Sequence, residues 1–250
     1  MLAQTLRDRV LYVHQPAPAL PGDGLDALAW EMLDLCEALQ HSDSPPLAVA
    51  LTGDGPAFWV SPPGGAADLD SLGSAWADAV AALAALAPPV VAAVGGDAIG
   101  PALDLALACD LRILAAEVVV GCPEAALGRL PTPGGIQRLA RAIGGPAALR
   151  LLLLGERLPA AEALRLGLAH RAAPAAALGD ALEAVLDDLR RAAPVALTFV
   201  KEAVSRAPSL PLAAGLRLEA DLAALLMTTA DRAEGIAAFQ ERRTPRYEGR

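Results

Sequence analysis

The sequence predicts an α/β fold with an α-helical rear, and three observations carry that reading. Short β-branched or apolar runs alternate with helix-period segments as far as about Gly134. Beyond it, helical segments follow one another, punctuated by Gly144-Gly145, Gly155, Gly167 and several prolines. The 250 residues suffice for one large domain, or a core with an appendage, around a sizeable interior.

Residues 10–14 and 47–52 read as strands, the second closed by Gly53-Asp54-Gly55. Between them, residues 25–39 place apolar side chains at helical spacing. Residues 74–87 form a second helix, with Ser74 as N-cap and Pro88-Pro89 as the stop. Residues 90–94 are a strand, 101–109 a helix with Pro101 in its first turn, and 111–114 and 118–120 strands. The rear helices are read over 136–143, 146–154, 159–166, 181–192, 195–206, 211–227 and 232–240. Stretches 15–24 and 61–65, rich in Pro and Gly, are loops.

Hydrophobic residues make up 54% of the chain, but many are alanines, which add little apolar area each, and aromatics are 3%. Further burial by oligomerisation is expected. A net charge of −9 argues against a nucleic-acid binder, which needs cations for phosphates, and gives no general help in drawing an anionic ligand. Cys36, Cys109 and Cys122 lack metal-ligand spacing, so no metal is expected, and their sparseness suits a reducing cytosol. The first residues carry charges and lack a signal-peptide core. The most apolar stretch, 75–94, is broken by Asp78 and Pro88-Pro89, too interrupted to span a bilayer. A soluble, cytoplasmic protein is the expectation.

The segment 89–124 holds the chemistry. An apolar strand enters a glycine-bearing loop, then a short helix, then two strands ending in Pro123-Glu124. Asp104 and Glu124 stand on elements that could converge, and paired carboxylates are suited to moving protons. The bland readings are a loop carboxylate pairing with Arg129 or Arg138 for Glu124, and a helix N-terminal acid for Asp104. Cys122 is as well read as a small buried hydrophobe, and Cys109 as core. His14, His41 and His170 show no motif and read as loop or surface residues. The glycines of GGIQRL start a helix close to the site.

Four ordered segments resemble the crotonase superfamily, the enoyl-CoA hydratases and isomerases. PPVVAAVGGDAIG with LDLALACDLRI is similar to the family's Lys-Pro-Val-Ile-Ala-Ala-Val-Asn-Gly and Ala-Cys-Asp. VVGCPEAALGRLPTPGGIQRLARAIG resembles its Pro-Glu and Gly-Gly-Thr-Gln-Arg-Leu segment. GERLPAAEALRLGLAHRAAP and the ending TTADRAEGIAAFQERRTPRY are similar to its later motifs. The resemblance implies a crotonase-like spiral of ββα units over residues 1–190, and a C-terminal helical trimerisation region over 191–250. It implies trimers or dimers of trimers.

The implied substrate is an acyl-CoA thioester, with coenzyme A part of the substrate and no separate cofactor. Its carbonyl would sit between two backbone N–H groups that stabilise an enolate-like oxyanion. The resemblance makes Glu124 the second catalytic glutamate and puts Asp104, one methylene shorter, at the first. A third acid used by dienoyl-CoA isomerases would fall at Thr132. Pro101 falls where the second oxyanion glycine stands and has no N–H, leaving Gly100 or Ala102 as neighbouring donors if the loop shifts. The first donor falls at Ala67, followed by Asp68 and Leu69 against the coenzyme, or at Pro62 without a gap. Gln15 and Asp70 stand where cations are common, and Arg242 and Arg243 survive near the C-terminus to reach a nucleotide. Phe239 reads as an acyl-pocket residue or as packing. Two functions follow: acyl-CoA processing by proton transfer beside a thioester carbonyl, or a catalytically silent crotonase-fold protein that binds another ligand or serves as an assembly subunit.

Overall fold

The computed structural model describes residues 1–19, 23–60 and 74–250. Strand β1 (Ala3–Arg7) pairs antiparallel with β2 (Val10–Gln15) across Asp8 and Arg9, which both take positive φ. Helix α1 (Asp23–Gln40) leads to β3 (Ala48–Gly53), and α2 (Ser74–Ala84) to β4 (Val90–Val94). Next come β5 (Ala98–Ile99), α3 (Pro101–Ala108), β6 (Leu111–Ala115) and β7 (Val119–Gly121). Helices α4 (Gly135–Ile143) and α5 (Gly145–Leu154) follow, then β8 (Arg157–Pro159), α6 (Ala160–Arg165), β9 (Arg171–Ala173) and α7 (Leu178–Arg190). The chain closes with α8 (Pro194–Arg206), α9 (Leu212–Leu226) and α10 (Ala230–Glu241).

A six-stranded sheet runs β1-β2-β3-β4-β6-β9, and a three-stranded sheet runs β5-β7-β8. The chain alternates between them. β4 lies in the large sheet and β5 in the small one before α3; β6 and β7 repeat the step. This is a spiral of ββα turns, as the family resemblance implies. From β2 to β9 the large sheet is parallel, with Val10 opposite Ala48, Val49 opposite Val90 and Val91 opposite Leu111.

Parallel strands covered on both faces become continuous apolar runs. Val49, Leu51, Val90, Ala92 and Val94 pack into the main core with α1 and α2. Ala48, Ala50, Val91, Ala93 and Ile113 face Leu182, Val185 and Leu186 of α7. Short strands escaped the sequence reading. β1 has every side chain exposed, so no two-residue period marks it. β5, β8 and β9 are two or three residues long. The helix read over 159–166 starts one residue later, because Pro159 is the last residue of β8.

The rear helices pack differently. None of α8 is buried, and α9 buries only Leu222. Val200, Val204, Leu212, Leu225, Met227 and Phe239 stay exposed. Lys201, the one lysine in the sequence, ties α8 to the core. Its Nζ lies 2.7 Å from Asp110 and donates to the Pro88 carbonyl at 2.9 Å.

Candidate active site

The site is built where the small sheet meets α3 and α4. Gly100 joins β5 to α3 at φ +60, a conformation costly for any residue with a Cβ. Its amide donates to the Gly121 carbonyl at 2.9 Å, fastening the turn to β7. A Cβ at Gly100 would stand 2.6 Å from Glu124 Oε1, so glycine lets backbone and carboxylate meet. Pro101 follows at the first helical position, buried, where its fixed φ fits and its missing N–H removes a donor. One turn on, the Asp104 amide donates to the Gly100 carbonyl at 3.0 Å.

Glu124 opens a 3-10 turn, Glu124–Leu127, directly after β7 and Pro123. Gly128 ends that turn in the left-handed region, at φ 73. Glu124 is 3% exposed, and its Oε2 is buried without a hydrogen-bond partner. Burial raises its proton affinity, opposed by its own backbone amide and by the charge of Arg129.

Asp104 is 1% exposed in a helix whose every residue is buried. Its Oδ2 accepts from the Thr132 amide at 3.2 Å. Its Oδ1 is unpartnered and lies against Gly135, where any Cβ would collide with it. Burial pushes the Asp104 carboxyl up to about 7, and Glu124 adds to the rise. Hydrogen bonding from Thr132 and the charge of Arg138 oppose it. Gly134 and Gly135 begin α4 as GGIQRL predicts, and Arg138 folds back over Gly134.

The structure therefore brings together Glu124, Asp104, Gly100 and Pro101. Ala67, Asp68 and Leu69 lie outside the described residues, as do Pro62 and Asp70. Arg242 is exposed at the end of α10, in the left-handed region, and no described contact joins it to Glu124. Arg243 is committed to Glu234 and Glu241. Gln15 is 8% exposed, and Phe239 85%. His14 lies in β2, within the strand read over 10–14, with Nδ1 3.0 Å from Thr52 Oγ1 and Nε2 3.3 Å from Asp54. Sequence reasoning missed Gly135 as the seat of Asp104. Its signal was the glycine pair itself, since a helix that opens on two glycines has given up side chains for close approach.

A family model described as enoyl-CoA hydratase/isomerase matches residues 31–250. The chain belongs to the enoyl-CoA hydratase/isomerase family. It is 40% identical over 172 residues to human enoyl-CoA hydratase domain-containing protein 2, mitochondrial. That match covers 67% of this chain and 59% of the relative, so the chain spans under two thirds of that protein. A protein of Mycobacterium bovis named a probable enoyl-CoA hydratase is 38% identical over 220 residues, 84% of each chain. The crystal structure of an enoyl-CoA hydratase from Geobacillus kaustophilus superposes with a TM-score of 0.90 at 28% identity, covering 100% of this chain and 97% of the other.

Proposed function

We propose that the protein processes acyl-CoA thioesters, with Glu124 moving a proton at a carbon beside the thioester carbonyl. The observation that carries this reading is Glu124 itself. It is a buried carboxyl with raised proton affinity and an unpartnered oxygen, on a turn held against a glycine that can admit a ligand. Asp104 has one oxygen engaged by Thr132 and the other against Gly135, which leaves Glu124 the freer acid. A single mobile acid favours carrying a proton from one carbon to another over adding water. Pro101 cannot donate to an oxyanion and the Gly100 amide is given to the Gly121 carbonyl, so the donor on this reading is Ala67, joined by Gly100 only if the loop shifts and that bond opens.

Asp68, Leu69 and Arg242 are proposed against the coenzyme. The exposed apolar side chains of α8, α9 and α10 support residues 191–250 as the region through which a homotrimer, or a dimer of trimers, forms. Three unpaired buried cysteines suit a reducing compartment, for which we propose the cytoplasm. Among the described residues, no helix is long and apolar enough to cross a membrane.

The test is turnover of 2-enoyl and 3-enoyl thioesters in deuterated water, followed by mass spectrometry. Wild type should exchange the proton beside the carbonyl and convert the 3-enoyl compound faster than it hydrates the 2-enoyl one. Unchanged exchange in Glu124→Gln would remove Glu124 from the role. No binding of short or medium acyl-CoA at millimolar concentration would leave the silent, ligand-binding alternative.

A further inference from the structure

Buried polar atoms of the site without hydrogen-bond partners include Asp104 Oδ1, Glu124 Oε2 and Arg138 Nη1. The first two belong to the acids of the proposed reaction. The third belongs to a half-buried guanidinium that this reaction does not use. Arg138 stands one turn into α4, its amide donating to the Gly134 carbonyl at 2.9 Å. Its side chain lies back along the helix against Gly134, toward the end where Gly135 meets Asp104 Oδ1. The Gly134-Gly135 pair thus leaves room for both side chains, Arg138 on one residue and Asp104 on the next. Burial makes the guanidinium's charge costly, which lowers its proton affinity, while the charge of Asp104 supports it. A charge so placed, with Nη1 unbonded, acts on its neighbours through space.

We propose that Arg138 is a positioning residue, the counter-charge that favours the ionised form of Asp104 across the Gly134-Gly135 opening of α4. This deepens the proposed function and rests on the same site, but its physical claim concerns the resting protein.

The charged and titratable groups around Asp104 come from several elements. The 3-10 turn supplies Glu124, which raises the proton affinity of Asp104, and α4 supplies Arg138, which lowers it. The end of β7 leads to Cys122, whose buried thiol is pushed up, first by desolvation and then by both carboxylates. Helix α2 has Asp78, which is exposed, and β5 has no titratable group. Arg129 acts on Glu124. Arg138 is therefore the positive charge that opposes the Asp104–Glu124 repulsion from the Asp104 side.

The test follows carboxyl protonation by infrared difference spectroscopy in the unliganded protein, with Asp104→Asn identifying the Asp104 band. In Arg138→Met the Asp104 transition should move to higher pH, with a smaller ionised fraction in the rising part of the curve. Arg138→Lys should return it most of the way. Glu124→Gln should move it the other way, because the like charge is gone. If the Met variant does not fold, Arg138→Gln keeps a polar amide in the slot and gives the same reading. Where turnover is measurable, the pH-rate limb that Asp104→Asn abolishes should move with the infrared transition. An Asp104 band unmoved in a folded Arg138→Met or Arg138→Gln variant overturns the proposal. Absence of turnover on any thioester bears on the proposed function alone, since the infrared titration needs no substrate.

Discussion

Glu124 and Asp104 share one cluster, yet the regions that hold them are built on opposite plans. Glu124 rides on a four-residue 3-10 turn separated by two residues from the end of a strand, with one face toward Gly100 and one oxygen unpartnered. Asp104 stands in a fully buried helix, with one oxygen held by the Thr132 amide and the other closed in by Gly135. Both lose solvation, and burial raises the proton affinity of both. The difference lies in what restrains them. A short turn leaves a carboxyl able to follow a reacting atom, whereas a helix and a neighbouring glycine fix one in place. On the proposed function, the first is the mover of protons and the second part of the frame.

The contrast can be broken in four ways. Glu124→Gln has the largest expected effect, a loss of about 100- to 10,000-fold in turnover, with the fold retained by circular dichroism. Asp104→Asn should cost less; an equal loss would show that both acids move protons. Pro101→Gly comes next. Restoring a backbone donor is expected to raise turnover by about 100-fold if that N–H meets the oxyanion, and an unchanged rate would show that it does not. Gly135→Ala should spare Glu124 and displace Asp104, destabilising the protein by about 1–3 kcal/mol through overpacking, read by urea unfolding.

The smallest effect is a pH slope. Asp104 binds its proton more tightly when folded, with its carboxyl pushed up to about 7. The folded state therefore holds the extra proton between the unfolded carboxylate range and about 7. Stability conferred by the protonated group is fully present below that range and is lost as pH rises through about 7. The slope is at most about 1.4 kcal/mol per pH unit. Asp104→Asn should flatten it in urea melts at pH 5 and pH 8, and an unaltered slope would assign the titration elsewhere.

The framework of this site was legible in the chain. Continuous apolar strands at 47–52 and 90–94, Pro101 in a first helical turn and Pro-Glu after a strand all stand where their chemistry puts them. The edge strand β1 was not legible, because five exposed side chains carry no alternation. Nor were β5, β8 and β9, since two or three residues do not establish a period. The Asp104 seat depends on a contact between residues about thirty apart in sequence, which local patterning does not encode. The His14 contact was hidden for a related reason: its hydrogen bond to Thr52 crosses between neighbouring strands.

Lys201 gives the molecule a built-in reporter. The chain has a single lysine among twenty basic side chains, so amine-directed labelling addresses one side-chain nitrogen. That side chain is 10% exposed and paired with Asp110 at the foot of the large sheet. Its amine is freed for reagent when its bonds to Asp110 and to the Pro88 carbonyl open. The rate of its modification is thus a clock for that opening, readable by mass spectrometry on the unaltered sequence without an introduced probe.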